Sequence, residues 1–187
     1  MENINSTSTS ADAEYHPVIY SIDSDNLIVE VNTGWDHFLL QNNDADSTAV
    51  VGRSILDFIS GKVTKQFWIK QFNLVRERGT ASIEYRCDAP DLKRWMRMNL
   101  RLLDDNRVQI TNELLAYEKR TRPIHFLPAS QRGRQTAIRC SLCNKLKSTE
   151  SWFEPDELHD QTGTFHVTYG ICPDCMNPTH ISPGALP

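Results

Sequence analysis

Four cysteines carry the chemistry that is easiest to read in this chain. Cys140-Ser-Leu-Cys143 and Cys172-Pro-Asp-Cys175 are two Cys-x-x-Cys pairs separated by residues 144–171. Each such turn aims two sulfurs at one point, and two turns complete a tetrahedron of thiolates, the coordination of closed structural zinc sites. Cys140, Cys143, Cys172 and Cys175 are therefore the expected metal ligands. Zn2+ is the expected ion and iron the alternative, because a tetrahedral all-sulfur site suits either. Two disulfides and a redox dithiol compete with this reading. Against disulfides, the chain has five cysteines, an odd number, and its first 16 residues lack the basic start and apolar core of a secretory leader. A redox dithiol calls for one Cys-x-x-Cys near a βαβ pattern, not two matched pairs.

Other chemistries find little support. There is no Gly-rich phosphate loop, nucleophile elbow, kinase or cyclase signature, or His-Glu-x-x-His, so a non-enzymatic role is expected. The acidic group Glu154, Asp156, Glu157, His159 and Asp160 reads as a solvated loop. No apolar run approaches the roughly 20 residues that span a bilayer, so no membrane contact is expected and the cytoplasm is the simplest compartment. Net charge is −4. The stretch 118–147 runs against that balance, with Lys119, Arg120, Arg122, Arg132, Arg134, Arg139, Lys145 and Lys147 against Glu118 alone. Such a block reads as a solvated linker, or as a surface for phosphates or an acidic partner.

At 187 residues the chain fits one domain, or one domain with a small module. Residues 17–23 and 27–32 read as a strand–turn–strand hairpin about Ser24-Asp25-Asn26, with Leu27, Val29 and Val31 sharing a face. Asn32 or Thr33 can cap a helix from Gly34 to Leu40, and Ser54 can cap a short helix near Ile55. Lys62 to Arg78 places Trp68, Phe72 and Val75 on one helical stripe, and Gly79 ends it. The period then becomes two. Ala81, Ile83, Tyr85 and Cys87 alternate with Ser82, Glu84 and Arg86, a second strand covers Trp95 to Leu102, and a third covers Arg107 to Tyr117. Two strands, helices, then three antiparallel strands imply an α+β fold, one antiparallel sheet with helices on one face, plus the small four-cysteine module.

That order, with the hairpin ending in Asn32 and the run Val51-Gly52-Arg53-Ser54-Ile55-Leu56-Asp57-Phe58-Ile59, resembles the PAS sensory domain. The resemblance implies a ligand held between the inner sheet face and the helices. Val29, Phe38, Phe58, Phe72, Ile83, Tyr85 and Met98 are the candidate lining, and the ligand itself is not specified. Haem would want an axial His or Cys, yet Lys62 to Arg78 has no histidine and His37 reads as a surface or core-edge residue. Cys87 does not lie in the Asn-Cys-Arg-Phe-type motif of flavin photosensors and reads as a small buried hydrophobe, with a redox thiol or a covalent ligand site as lesser alternatives. PAS domains often pair, so a homodimer is one expectation.

The segment Cys140-Ser-Leu-Cys143-Asn-Lys-Leu-Lys, Trp152 and Tyr169-Gly-Ile-Cys172-Pro-Asp-Cys175 resembles a short tail found on bacterial signalling proteins. The tail's usual Ser-His is Thr168-Tyr169 here, with His166 nearby. The cysteine spacing also approaches that of rubredoxin, an iron electron carrier. The expected organisation is a disordered tail over 1–16, a PAS-like sensory domain over 17–117, a basic linker over 118–138, a zinc-ribbon-like module over 139–178 and a flexible tail over 179–187. The expected function is bacterial signalling: the PAS-like domain senses a small ligand or binds a partner, and the zinc module mediates interaction with a protein partner. Its rivals are nucleic-acid binding through the zinc module and the 118–147 segment, and an iron redox protein.

Overall fold

The computed structural model describes residues 16–36, 50–129, 133, 136–158, 163–176 and 181–182. Strands β1 (Val18–Ile22) and β2 (Ile28–Val31) form the expected hairpin. Asp23 makes its turn, its carboxylate accepting the amides of Asp25 and Leu27, each at 2.9 Å, while Asn26 takes φ 63°. Asn32 is the cap of the next helix, α1, described over residues 33–36: its side-chain oxygen accepts the amides of Ile19 at 2.9 Å and Trp35 at 3.3 Å. The rest of the expected helix, with His37 and Phe38, lies outside the described residues.

One face assignment in the hairpin is corrected. The register runs Tyr20–Val31, Ser21–Glu30, Ile22–Ile28, which leaves Val29 as a bulged extra residue. A bulge shifts the in–out parity of everything beyond it. Ile28, not Val29, is therefore the fully buried residue of β2.

A 3-10 turn, Ile55–Phe58, follows, with the Ser54 hydroxyl accepting the Leu56 amide. Helix α2 (Lys62–Arg78) buries Thr64, Phe67, Trp68, Gln71, Phe72 and Val75, and stops at Gly79, whose amide reaches the Val75 carbonyl at 2.8 Å. Strands β3 (Thr80–Arg86), β4 (Leu92–Leu102) and β5 (Val108–Lys119) form the expected meander. With a last short strand, β11 (Ile181–Ser182), the first sheet is wholly antiparallel in the order β11-β3-β4-β5-β1-β2.

Of the stretch 118–138, expected to be a linker, the described residues 118–129 and 136–138 are built into structure. Its backbone is tied down at once, with the Arg120 amide donating to Asp91 O and the Ile124 amide to Pro90 O. It then forms β6 (His125–Pro128) and begins β7 (Thr136–Cys140). With β8 (Leu146–Ser148), β9 (Ser151–Phe153) and β10 (Thr164–Gly170) these make a second sheet in the order β6-β10-β7-β8-β9. Strand β10 lies parallel to both β6 and β7, and the remaining pairs are antiparallel.

The two sheets share one core. Cys140, Leu142 and Cys172 belong to the same buried cluster as Phe67, Trp68, Phe72, Ile83 and Leu100. Gly61, at the start of α2 with φ 87°, lies so close to β10 that a Cβ there would sit 2.7 Å from Tyr169 O.

A buried ion network crosses the same boundary and corrects two charge-based expectations. Asp88, its side chain 1% exposed, accepts from both Arg86 at 2.5 Å and Arg120 at 2.6 Å. Arg86 also holds Glu154 at 2.9 Å, and Arg120, its side chain fully buried, reaches Asp156, which Lys93 meets at 3.3 Å. Glu154 and Asp156 are thus clamps rather than solvated loop acids. His159 and Asp160 lie outside the described residues. Burial pushes the Asp88 carboxyl up, but the hydrogen bond and charge of Arg86, with the Arg94 amide and Asn144, outweigh it and hold the carboxyl below the ordinary range.

Removing one member of a buried ion cluster strands the others. Asp88→Ala is expected to cost about 3–5 kcal/mol in urea unfolding. Arg97→Ala, which opens the exposed Arg97–Glu84 pair, is expected to cost less than about 1 kcal/mol. Because the folded Asp88 carboxyl titrates below its unfolded value, its contribution is complete above about pH 4 and is lost as pH falls through the folded value. A urea midpoint that does not fall in acid, or an Asp88→Ala variant as stable as the unaltered chain, would contradict this.

Candidate metal centre

The parallel pairing of β7 and β10 ends in the register Gly170–Cys140, so both Cys-x-x-Cys turns leave the sheet side by side at the same end. The first turn closes on itself. The Cys140 amide donates to Lys145 O at 2.8 Å, the Asn144 amide to Cys140 O at 3.0 Å, and Asn144 takes φ 64°, a left-handed shape that asparagine tolerates. The second turn runs from Gly170 into a single helical turn, α3 (Pro173–Met176), where the Met176 amide donates to Cys172 O at 3.0 Å and Cys175 is swung back over Cys172. The Ser141 amide donates to Gly170 O at 2.8 Å and joins the two turns.

All four sulfurs lie within 4.8 Å of one another, and Cys143 Sγ to Cys172 Sγ is 3.7 Å. Zinc–sulfur bonds of about 2.3 Å in a regular tetrahedron put sulfurs about 3.8 Å apart, so the donor set fits a four-coordinate ion. A disulfide would bring two sulfurs to about 2.05 Å, and all five cysteines are free thiols. Amides point at the sulfurs as well: the Cys172 amide meets Cys140 Sγ at 3.4 Å. Hydrogen bonds from the Cys143 and Cys175 thiols pull the Cys140 thiol far down, while the same bonds and burial push Cys143 and Cys175 up. Four thiols at one point cannot all ionise unless a cation joins them. Cys140 and Cys172 are buried, whereas Cys143 and Cys175 are partly open.

Asn144 is a site residue that spacing did not reveal. Its side chain, 1% exposed, accepts Arg139 Nε at 3.1 Å and Nη2 at 2.8 Å and donates to Arg86 O at 3.3 Å. The Arg86 amide in turn donates to Leu142 O at 2.6 Å. The first cysteine turn is therefore bonded to the end of β3. Only the residue type at a tight-turn position hinted at this. His166 is exposed on β10 and does not join the cysteines.

Of the expected ligand lining, Ile83 and Tyr85 border one cleft. Phe72 and Ile83 are buried in the core, Tyr85 and Met98 pack at its margin, and Val29 sits on the bulge. Phe58 is 44% exposed beneath the Arg53 guanidinium, 4.5 Å from its ring centre, which removes it from an interior pocket. Phe38 lies outside the described residues. The cleft, of about 270 Å³, is bordered by Phe67, Ile83, Tyr85, Met96, Leu115 and Leu142 and by Cys143 and Cys175. The metal module thus forms one wall of the cleft. Cys87 is also corrected: it lies past the end of β3, half-buried, with the Arg94 guanidinium 3.9 Å from its sulfur and bonded to its carbonyl at 2.6 Å.

No family model matches the chain, and no curated protein does. Among solved structures, the chain has a weak likeness to the PAS domain of HTR-like protein from Haloarcula marismortui. The two share 19% identity with a TM-score of 0.33, over 55% of this chain and 89% of that one.

Purified chain is expected to carry a single equivalent of tightly held metal, lost when Cys140 or Cys172 is changed to Ser and measured by elemental analysis. Asn144→Ala keeps every ligand but frees the turn, and is expected to weaken metal binding roughly 10–100-fold in a chelator competition. Unchanged affinity would leave Asn144 without a role at the centre.

Proposed function

We propose that this chain is a non-enzymatic regulatory protein in which a PAS-like sheet-and-helix domain and a four-cysteine zinc module act as one unit on a protein partner. The observation that carries this reading is the shared core. Cys140 and Cys172 belong to the same buried cluster as Phe67 and Ile83, so an ion that fixes the sulfurs also supports the core beneath the first sheet. The PAS-like character is supported by the order of two strands, helices and three antiparallel strands. Zinc is favoured because four thiolates close the shell and leave no exchangeable position, which suits a structural ion. Iron would use the same ligands.

In the 118–147 segment Arg120 bonds Asp88 and Asp156, Arg122 bonds Leu158 O, and Arg139 bonds Asn144, so the reading proposed here places no nucleic-acid contact on these three. Arg132 and Arg134 lie outside the described residues. The domain division is also redrawn in this proposal, with the metal module beginning at β6 rather than at residue 139. Among the described residues no helix is long and apolar enough to cross a membrane.

Chelation tests the unit. Metal removal is expected to lower the unfolding temperature in one cooperative step, with amides of β3 and β4 losing hydrogen-exchange protection together with those of β7 and β10. Loss confined to β7–β10 would mean that the metal serves its own module alone.

A further inference from the structure

Among the described residues, the β3 edge of the first sheet is only partly filled. Along β3 the backbone groups alternate in direction. Gly79 O and Cys87 N bond towards β4, whereas the Arg86 amide points the other way, to Leu142 O. By that alternation Thr80, Ser82, Glu84 and Arg86 present their amide and carbonyl groups to the outer edge. Leu142 takes Arg86, and β11 lies antiparallel with Ile181 opposite Ile83 and Ser182 opposite Ser82. Among the described residues no strand stands opposite Glu84 or Thr80.

The cleft follows this same strand, touching Ile83, Glu84, Tyr85 and Arg86 in succession before reaching Met96 and Leu115. At about 270 Å³ it is just below the roughly 300–1,000 Å³ of pockets that enclose whole small ligands, but it can take a side chain. An edge that already accepts an antiparallel strand, next to a largely apolar hole, has the two parts of recognition by strand addition: main-chain bonds for affinity and a pocket for alternate side chains.

We propose that the β3 edge is a strand-acceptor site. An extended segment of a protein partner pairs antiparallel with Ser82–Glu84, places an apolar side chain in the cleft beside Tyr85 and Met96, and displaces Ile181–Ser182, which hold the place in its absence. This rests on the partner-binding reading above and names its surface. The occupant is a strand because the chain's own strand sits there. The side chain is apolar because Phe67, Tyr85, Met96, Leu115 and Leu142 meet it, while the nearby charges of Arg86 and Glu154 are already paired.

The test uses a fluorescent peptide copying residues 177–187 as the probe. The unaltered chain is expected to bind it at least roughly tenfold more weakly than a chain shortened after Met176, because a tethered copy competes at an effective concentration in the millimolar range. Ser182→Pro in the otherwise intact chain removes a strand amide and is expected to raise probe binding too, which covers the case of a shortened chain that does not fold. Leu115→Asp, at a cleft residue 41% exposed and so tolerant of charge, is expected to cut binding by the shortened or Ser182→Pro chain tenfold or more. Equal binding to all forms, or none to folded, metal-loaded Ser182→Pro chain, overturns the proposal. Metal content measured on the same samples separates that outcome from failure of the zinc reading, in which metal is absent throughout.

Discussion

Two short turns, far apart in sequence, must deliver four sulfurs to one point, and the parallel register of β7 and β10 is what makes this possible. With Gly170 opposite Cys140, both strands end at the same level. Each then needs only a few residues to bend its cysteines inward. An antiparallel pairing would have sent the two turns to opposite ends of the sheet. The backbone bond from Ser141 to Gly170 O, and the approach of Gly170 to Ile138, where a Cβ would sit 3.0 Å from the side chain, hold that register closely.

From this point the rest of the molecule is tied in by polar contacts that span both sheets. Asn144 fixes the first turn and bonds Arg86 of β3. Arg86 shares Asp88 with Arg120, and those arginines hold Glu154 and Asp156. Each charge in this set is expensive to bury alone and is accepted because its neighbours are buried with it. The network specifies how the second sheet sits on the first, a job that apolar packing, with no preference for direction, does less strictly.

The sequence showed some of this plainly and hid the rest for physical reasons. The cysteines were legible because metal geometry imposes a short-range spacing. Helix α2 and strands β3–β5 were legible because one face of each is buried and the other is not. The bulge at Val29 was not, since a one-residue shift leaves composition unchanged while reversing which side chain points inward. Strand β6 was missed because it is four residues long, contains Pro128, and pairs with β10, whose residues lie some forty positions later. The buried arginines were misread because Arg120 looks like any other member of a basic run, and the carboxylates that neutralise it come from 88 and 156. Pairings at that range leave no local pattern. The solvent-exposed position of Phe58 was equally hidden, as an aromatic residue in an apolar run carries no mark of which side it faces.

Strand β10 lies between β6 and β7 and is made after both. On a ribosome, then, β6 and β7 emerge with nothing between them, and the first cysteine pair waits in an unfinished sheet until residue 170 has cleared the exit tunnel. The first sheet can close much earlier through β1 and β5. Synthesis therefore passes through a stage in which a nearly complete domain carries a reduced, exposed thiol pair. The length of that stage is the interval between the emergence of Cys143 and the emergence of Cys175.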